Sequence, residues 1–370
     1  MAGIAPGRVE ILGNHTDYNG GAVLTAAIDR FVAVVGRAGR DTQVRVWSCD
    51  RKAHGEFSVT GLRPDDRPDW TSYVKSVFAM LASAGVSVGG MDLVIASDVP
   101  AGAGLSSSAA LEASVARAVL AACPAFVEPL TLARLLQQGE NEFAKVQCGL
   151  LDPFSTIHGQ ADRVIFLDCA SGAHEILSLP APAPALVVVD SRVSRQLGRD
   201  APYNTRRREC EEARAALERR LGRRLNGLCA ATPDELQQAA SAIPEPPLSR
   251  ARHVIGEHER VRAARAALTE GDVRRLGRLM EQSHRSSQRY FENSCEALDR
   301  LCALATRQPG YIGGRLCGGG WGGCTVNLVA ADAVDDFVAG MARALAPWPG
   351  PRPVAHVCYA SDGAIGRTLA

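Results

Sequence analysis

Lysine is almost missing from this chain of 370 residues; Lys52, Lys75 and Lys145 are the only three. None of them follows a glycine-rich stretch, so a Walker-type phosphate loop, which needs a Lys after its glycines, is excluded. An excess of charge of one sign is lacking as well. Arginine carries most of the 41 basic groups, which face 40 acidic ones, and the formal net charge is +1. That balance argues against a nucleic-acid or membrane-surface binder. The preference for Arg over Lys is read as genome composition. No apolar run reaches the ~20 residues that span a bilayer. Met1 to Pro6 lacks the charged-then-apolar layout of a secretion signal. The 11 cysteines are odd in number and never spaced Cys-x-x-Cys. A disulfide framework and a zinc site are thereby disfavoured, and reduced thiols in a cytoplasmic setting are expected.

What is present is an ordinary globular composition, 46% apolar and 22% charged. At roughly 100–200 residues per domain the length suggests two domains. Three proline-rich patches, Leu179–Ala185, Ile243–Leu248 and Ala346–Val354, interrupt helices and ladders alike. The first lies near mid-chain and divides the sequence into expected lobes 1–180 and 181–370. Strand-like runs are expected at Phe31–Val35, Met91–Ala96, Val164–Asp168, Ala185–Asp190 and Thr325–Ala330. Helix-like runs are expected at Tyr73–Ala84, Ser107–Ala122, Leu132–Phe143, Asn204–Leu221, Arg250–Leu268, Asp272–Gln288 and Val334–Leu345. The mixture in both halves predicts an α+β protein with two lobes.

Three segments stand out by their glycines. In Val99–Ala110, VPAGAGLSSSAA, a strand-like run leads through Pro100, Gly102 and Gly104 to Leu105 and Ser106–Ser107–Ser108, and then into an Ala-rich helical run beginning with Ala109. A loop opening onto a helix N-terminus offers unpaired N–H groups and a favourable dipole to an anion such as phosphate. Serine hydroxyls can add to that or meet a hard cation; the bland alternative is a serine N-cap after a glycine turn. In Gly313–Cys324, Gly318, Gly320 and Gly323 satisfy G-x-G-x-x-G in form, but the β-branched run that follows excludes a dinucleotide fingerprint. Its glycines, Gly319 and Gly320 included, suit a backbone that approaches a neighbouring loop or a phosphate tail. In Pro6–Gly21, Arg8, His15 and Asp17 are polar groups close in sequence, able to grip a phosphoryl oxygen or the hydroxyls of a polyol; a satisfied polar turn is the alternative. Glu140 closes a helix-like run, and Asp152 stands alone among apolar residues as either a cap or a functional carboxylate.

Taken together and in order, these segments resemble the galactokinases of the galactose/homoserine/mevalonate/phosphomevalonate kinase superfamily, over almost the whole chain. The family signature GR-x-N-x-I-G-E-H-x-D-Y is matched at Gly7, Arg8, Leu12, Gly13, His15, Asp17 and Tyr18. Its serine loop is matched at Pro100–Ala110, its CGIMDQ segment at Cys148–Pro153, its YN-x-RR-x-EC segment at Tyr203–Cys210, a further match runs over Ser283–Ser286, and its last motif is matched at Gly318–Cys324. The departures are Asn14 for the family's Glu, Glu10 for its Asn, Pro153 for its Gln, an unusual Lys145, and the wording of Arg192–Arg199.

The resemblance implies a two-lobed sugar-kinase fold. The N-terminal lobe would carry a mixed sheet and helices and the C-terminal lobe an antiparallel sheet and helices, with the active site in the cleft between. It implies transfer of the ATP γ-phosphoryl group to the anomeric hydroxyl of galactose. Asp152 would accept or orient the attacking hydroxyl's proton, with Arg8 beside it. The loop Pro100–Ala109, with Gly319 and Gly320, would bind ATP, and Ser108 and Glu140 would hold Mg²⁺. Asn14, His15, Asp17, Gly149 and Tyr203 would form the sugar cup. Asn14, standing where the family's Glu helps hold the C6 hydroxyl, raises an alternative substrate altered at C6 or C2, such as galacturonate, arabinose or N-acetylgalactosamine. A sugar- and ATP-binding regulator without catalysis is a third reading. The expected assembly is a monomer or weak homodimer, with neither nucleic acid nor membrane as partner.

Overall fold

The computed structural model describes residues 1–100, 102–123, 125–146, 148–193 and 202–369. Its strands are β1 (Ala2–Leu12), β2 (Ala22–Ala38), β3 (Gln43–Ser48), β4 (Ala53–Ser58), β5 (Met91–Ser97), β6 (Arg163–Asp168), β7 (His174–Ser178), β8 (Ala185–Asp190), β9 (Tyr311–Cys317), β10 (Cys324–Val329), β11 (Val354–Cys358) and β12 (Ile365–Arg367). The helices are α1 (Trp70–Ser83), α2 (Ser107–Ala122), α3 (Pro129–Gly139), α4 (Leu151–His158), α5 (Pro202–Leu221), α6 (Pro233–Ala239), α7 (Pro247–Thr269), α8 (Val273–Ser286), α9 (Glu296–Ala305) and α10 (Val334–Ala344). Among the described residues no helix is long and apolar enough to cross a membrane.

Among the described residues two sheets organise the chain. One runs β12-β1-β2-β5-β3-β4, with β6 and β7 continuing from the first half of β2. Its pairs are antiparallel except β3 with β5, so the sheet is mixed. The other is β11-β8-β10-β9, antiparallel throughout. Strands up to Ser178 build the first sheet, and those from Ala185 to Cys358 build the second. Residues 365–367 then return to β1. One hydrophobic core runs through both, joining Val9, Leu24 and Leu93 to Val188, Leu276 and Val326.

Every expected strand and helix has a counterpart; Ser107–Ala122 and Ala185–Asp190 match end to end and the others have shifted ends. β1, β3, β4, β7, β9, β11, β12, α4, α6 and α9 were not among the expected runs. β1 was hidden by Pro6 and Gly7, which read as turn residues. In the strand they fall at a register shift between Pro6 and Arg8, where a missing N–H is tolerated. Gly7 is needed because a Cβ there would lie 2.7 Å from the carbonyl oxygen of Leu105. The expected helix over Leu132–Phe143 ends at Gly139, and a single wide π-turn, Glu140–Ala144, follows.

Two close approaches fix the site's scaffold. Helix α2 lies directly on β1, and a Cβ at Gly3 would meet the Ser114 carbonyl oxygen at 2.0 Å. The alanines along α2 permit that distance, and so the serine loop at its start is held over the strand that carries Arg8. Gly313 and Gly314 belong to β9, so only the later glycines of Gly313–Cys324 lie in the loop before β10. Helix α8 packs there backbone to backbone, since a Cβ on Gly313 would sit 2.2 Å from Gly277 Cα. Overpacking such a contact costs roughly 1–3 kcal/mol or more.

Candidate active site

Arg8 joins the two halves of the site. From β1 its Nε donates to Asp152 Oδ1 at 2.8 Å, and Nη2 lies 2.6 Å from the same oxygen. Its Nη1 donates to the Gly104 carbonyl at 2.6 Å, and its backbone N–H donates to the Leu105 carbonyl at 3.0 Å. The guanidinium therefore ties the serine loop to the carboxylate. Asp152 stands in the first turn of α4, whose N-cap is Leu150, so it is not the cap that the sequence allowed as an alternative. Its side chain is 26% exposed against 6% for Arg8, so a ligand can reach it.

Between β5 and α2 the backbone turns through Gly102 and Gly104, both at positive φ. Ser106 follows in the left-handed region, at φ 56°. Ser107, Ser108 and Ala109 form the first turn of α2, where backbone N–H groups have no intrahelical acceptor. The Ser106 hydroxyl is buried without a hydrogen-bond partner. A plain N-cap serine would bond the helix it caps, and here no such bond forms. Ser108 lies close enough to Glu140 to lower its carboxyl pKa. Glu140 heads the π-turn, a helix defect that often re-aims a side chain at a functional site. Burial and then the charge of Asp152 push its carboxyl up to about 7, against the lowering effect of Cys148 and Ser108. A hydroxyl beside a buried carboxyl is a hard-oxygen donor set of the kind Mg²⁺ takes.

Asp17, Gly149 and Tyr203 form a second group, and the charge of Asp152 acts on Asp17. A Cβ at Gly149 would lie 1.7 Å from Asp17 Oδ2, so glycine here is what leaves room for that carboxylate. The Tyr203 hydroxyl is pushed up by burial and next by Asp17. Asn14 and His15 are also bonded within the protein. Asn14 is 1% exposed, and its Nδ2 donates to the Gly318 carbonyl at 2.8 Å and to Glu10 Oε1 at 3.3 Å. Its Oδ1 accepts from Asn293 at 2.7 Å and from Ser287 at 3.3 Å. His15 sits between the Tyr18 hydroxyl at 2.9 Å and the Gly319 carbonyl at 3.1 Å, and stacks on Phe291. Buried polar groups must be hydrogen-bonded, and these two bond protein. They tie the signature turn to the loop 318–323, and the His15 ring also lies 5.4 Å from that of Tyr203. The Gly319 carbonyl is thereby engaged, and Gly320 lies against Asn293, whose carbonyl oxygen is 2.0 Å from a Cβ built there. Of the departing stretch Arg192–Arg199, residues from 194 on lie outside the described ones.

Three family models match: the GHMP kinases N terminal domain over residues 72–160, the galactokinase galactose-binding signature over 2–38, and the GHMP kinases C terminal over 264–346. A galactokinase of Roseiflexus sp. (strain RS-1) is 40% identical over 99% of this chain and 92% of its own. The chain belongs to the galactokinase family. The Homo sapiens galactokinase is 36% identical, over 98% of this chain and 91% of its own. The crystal structure of Lactococcus lactis galactokinase complexed with galactose superposes with a TM-score of 0.92 at 31% identity, covering 98% of this chain and 94% of that one.

Sequence reasoning about this galactokinase-family chain missed the residues that hold the signature turn. Glu257 of α7 accepts from the backbone N–H groups of Gly13 at 3.0 Å and Asn14 at 3.2 Å, and from Ser283 at 2.7 Å. Burial opposes its charge, but Arg260 and Arg315 hold its carboxyl well below the usual range. Arg315 is fully buried and pairs with Glu10 at 2.8 Å. Arg207, one turn after Tyr203 on α5, bonds the Tyr203 hydroxyl and lies 4.5 Å from the centre of the Tyr18 ring. The Arg-Arg of the YN-x-RR wording was the one available signal for Arg207.

Asp17 carries a testable pH dependence. Burial pushes its carboxyl up to about 7, and the charges of Glu10 and Asp152 add to this. The folded state thus keeps a proton that the unfolded chain gives up near its ordinary value of 3.8. The stability it contributes is full below about pH 4 and is lost as pH rises through about 7. The ligand-free melting temperature should therefore fall between about pH 4 and 7, and Asp17→Asn should flatten that fall. Parallel melts of the two proteins across that range check it; identical slopes would contradict it.

Proposed function

We propose that this protein phosphorylates galactose at its anomeric hydroxyl with ATP, giving galactose 1-phosphate, ADP and a proton. The observation that carries the reading is the Arg8 bridge, which brings an accessible carboxylate within one side chain of an anion-ready helix start. Phosphoryl transfer has a loose transition state, so catalysis is chiefly positioning and charge stabilisation. The first turn of α2 and the loop 102–106 bind the nucleotide phosphates. Both Arg8 contacts fall on Asp152 Oδ1, which leaves Oδ2 to orient the anomeric O–H and take its proton as that oxygen attacks the γ-phosphorus. Arg8 offsets the charge that develops there. Asp17, Gly149 and Tyr203 seat the sugar.

Ser108 and Glu140 would hold Mg²⁺, which when bound offsets charge on the β- and γ-phosphates. Among the described residues no three His, Cys, Asp or Glu side chains form a metal cage, so the nucleotide itself would supply most of the remaining ligands. ATP as substrate and the reduced thiols expected from the cysteine spacing suit a cytoplasmic enzyme.

Asn14 is bonded to protein on both ends of its amide, and the galactokinase relatives favour galactose over a C6-altered sugar. A coupled ADP assay over galactose, galacturonate, arabinose and N-acetylgalactosamine tests the reading. Galactose should be preferred by about tenfold or more in kcat/KM. A preference for another sugar, or sugar binding without ADP release, would overturn it.

A further inference from the structure

Glu112 is fully buried, and no step above uses it. It stands four residues after Ser108 on α2, so both side chains leave the same helix face. Its Oε1 accepts from Ser76 Oγ of α1 at 3.1 Å. Its Oε2 is buried with no hydrogen-bond partner. Such an oxygen in a protein interior calls for an explanation, an absent ion among them.

The surroundings point to one. Ser76 also faces Gly139, where a Cβ would come within 3.0 Å of Ser76 Cβ. The same serine therefore packs beside the residue that precedes Glu140. The charge of Glu140 acts on Glu112, and both act on the Tyr73 hydroxyl. Two buried carboxylates side by side repel each other, and a dication near both removes the conflict. Ser108, which lies close to Glu140, shares the helix face with Glu112.

We propose that Glu112 is a positioning residue for the divalent cation: its carboxylate backs Glu140 and Ser108 and raises the site's affinity for the metal. The inference rests on the kinase reading above, in which Ser108 and Glu140 hold Mg²⁺. It predicts an effect on the metal that is separate from nucleotide and sugar binding.

Mn²⁺ provides the probe, because its electron paramagnetic resonance signal reports the bound fraction directly. Mn²⁺ is titrated into the protein with ADP and galactose present, for the unaltered chain, Glu140→Gln and Glu112→Gln. Metal-free ADP binding and galactose binding are followed by calorimetry. Glu112→Gln should weaken Mn²⁺ binding about 10- to 100-fold and leave the two calorimetric affinities unchanged. A residue that only packs would change the melting temperature and leave the Mn²⁺ affinity as it was; that result overturns the inference. Should Glu112→Gln not fold, Ser76→Ala keeps both carboxylates and unpins Glu112, and should weaken Mn²⁺ binding at least about threefold. An unchanged affinity there overturns the inference equally. If Glu140→Gln leaves Mn²⁺ binding intact, the metal assignment beneath the inference has failed. If Glu140→Gln abolishes it and Glu112→Gln does not alter it, only the role of Glu112 has failed.

Discussion

Asp152→Asn should abolish measurable turnover while leaving a folded protein that still binds galactose and ATP. The change is isosteric and removes one negative charge. The amide cannot take the proton of the anomeric hydroxyl, a contribution worth about 10²–10⁴ in rate. It also leaves Arg8 without its carboxylate partner, and the 2.6 and 2.8 Å contacts of the guanidinium lose their charge assistance. Breaking a buried ion pair costs about 3–5 kcal/mol, but Asp152 is 26% exposed, so solvent softens the loss and the fold should survive. ADP release with saturating galactose measures kcat, and circular dichroism with a thermal melt checks the fold. A kcat within about tenfold of the unaltered chain would remove Asp152 from the reaction.

Gly149→Ala should be nearly as damaging, through the sugar. The added methyl has no room, because Asp17 Oδ2 would lie 1.7 Å away and Asp17 Cγ 2.5 Å away. The aspartate must swing out, and with it the hydrogen bonds proposed for it to the ring hydroxyls. At an assay pH above about 7, where Asp17 is ionised, such hydrogen bonds contribute roughly 1.5–3 kcal/mol each. Losing one raises the galactose KM about 10- to 100-fold. The nucleotide contacts stand on α2 and should keep their affinity. Steady-state kinetics with each substrate varied in turn separates the two. A galactose KM unchanged in Gly149→Ala would mean that Asp17 does not bind the sugar.

The parts of the site that were legible in the sequence are those in which chemistry and spacing coincide locally. The serine loop reads as a strand, two glycines, three serines and an alanine-rich run, and the structure has that order between β5 and α2. Asp152 drew notice as a lone carboxylate among apolar residues. The parts that stayed hidden depend on partners far along the chain. Glu257 bonds Asn14 across 243 residues, and Arg315 bonds Glu10 across 305. Within a charged helix such as α7, nothing local separates a glutamate that binds backbone N–H groups from one that faces water. The same distance effect explains Asn14 and His15. Their place in the signature suggested sugar contact, and nothing local announced that Gly318, Gly319 and Asn293, from the far end of the chain, bond their polar atoms as well. Strand β1 was missed for a different reason. Its proline and glycine are turn residues by propensity, and burial on both faces outweighs that preference.

The return of residues 365–367 to the free side of β1 has a consequence for biosynthesis. Ala2, Gly3 and Ile4 face Arg367, Gly366 and Ile365 across the ladder. Strand β1 thus waits, with an unzipped border, until some 360 further residues have left the ribosome. Throughout translation that bare border is a place where a neighbouring nascent chain could add itself, and molecular chaperones would have most reason to shield it.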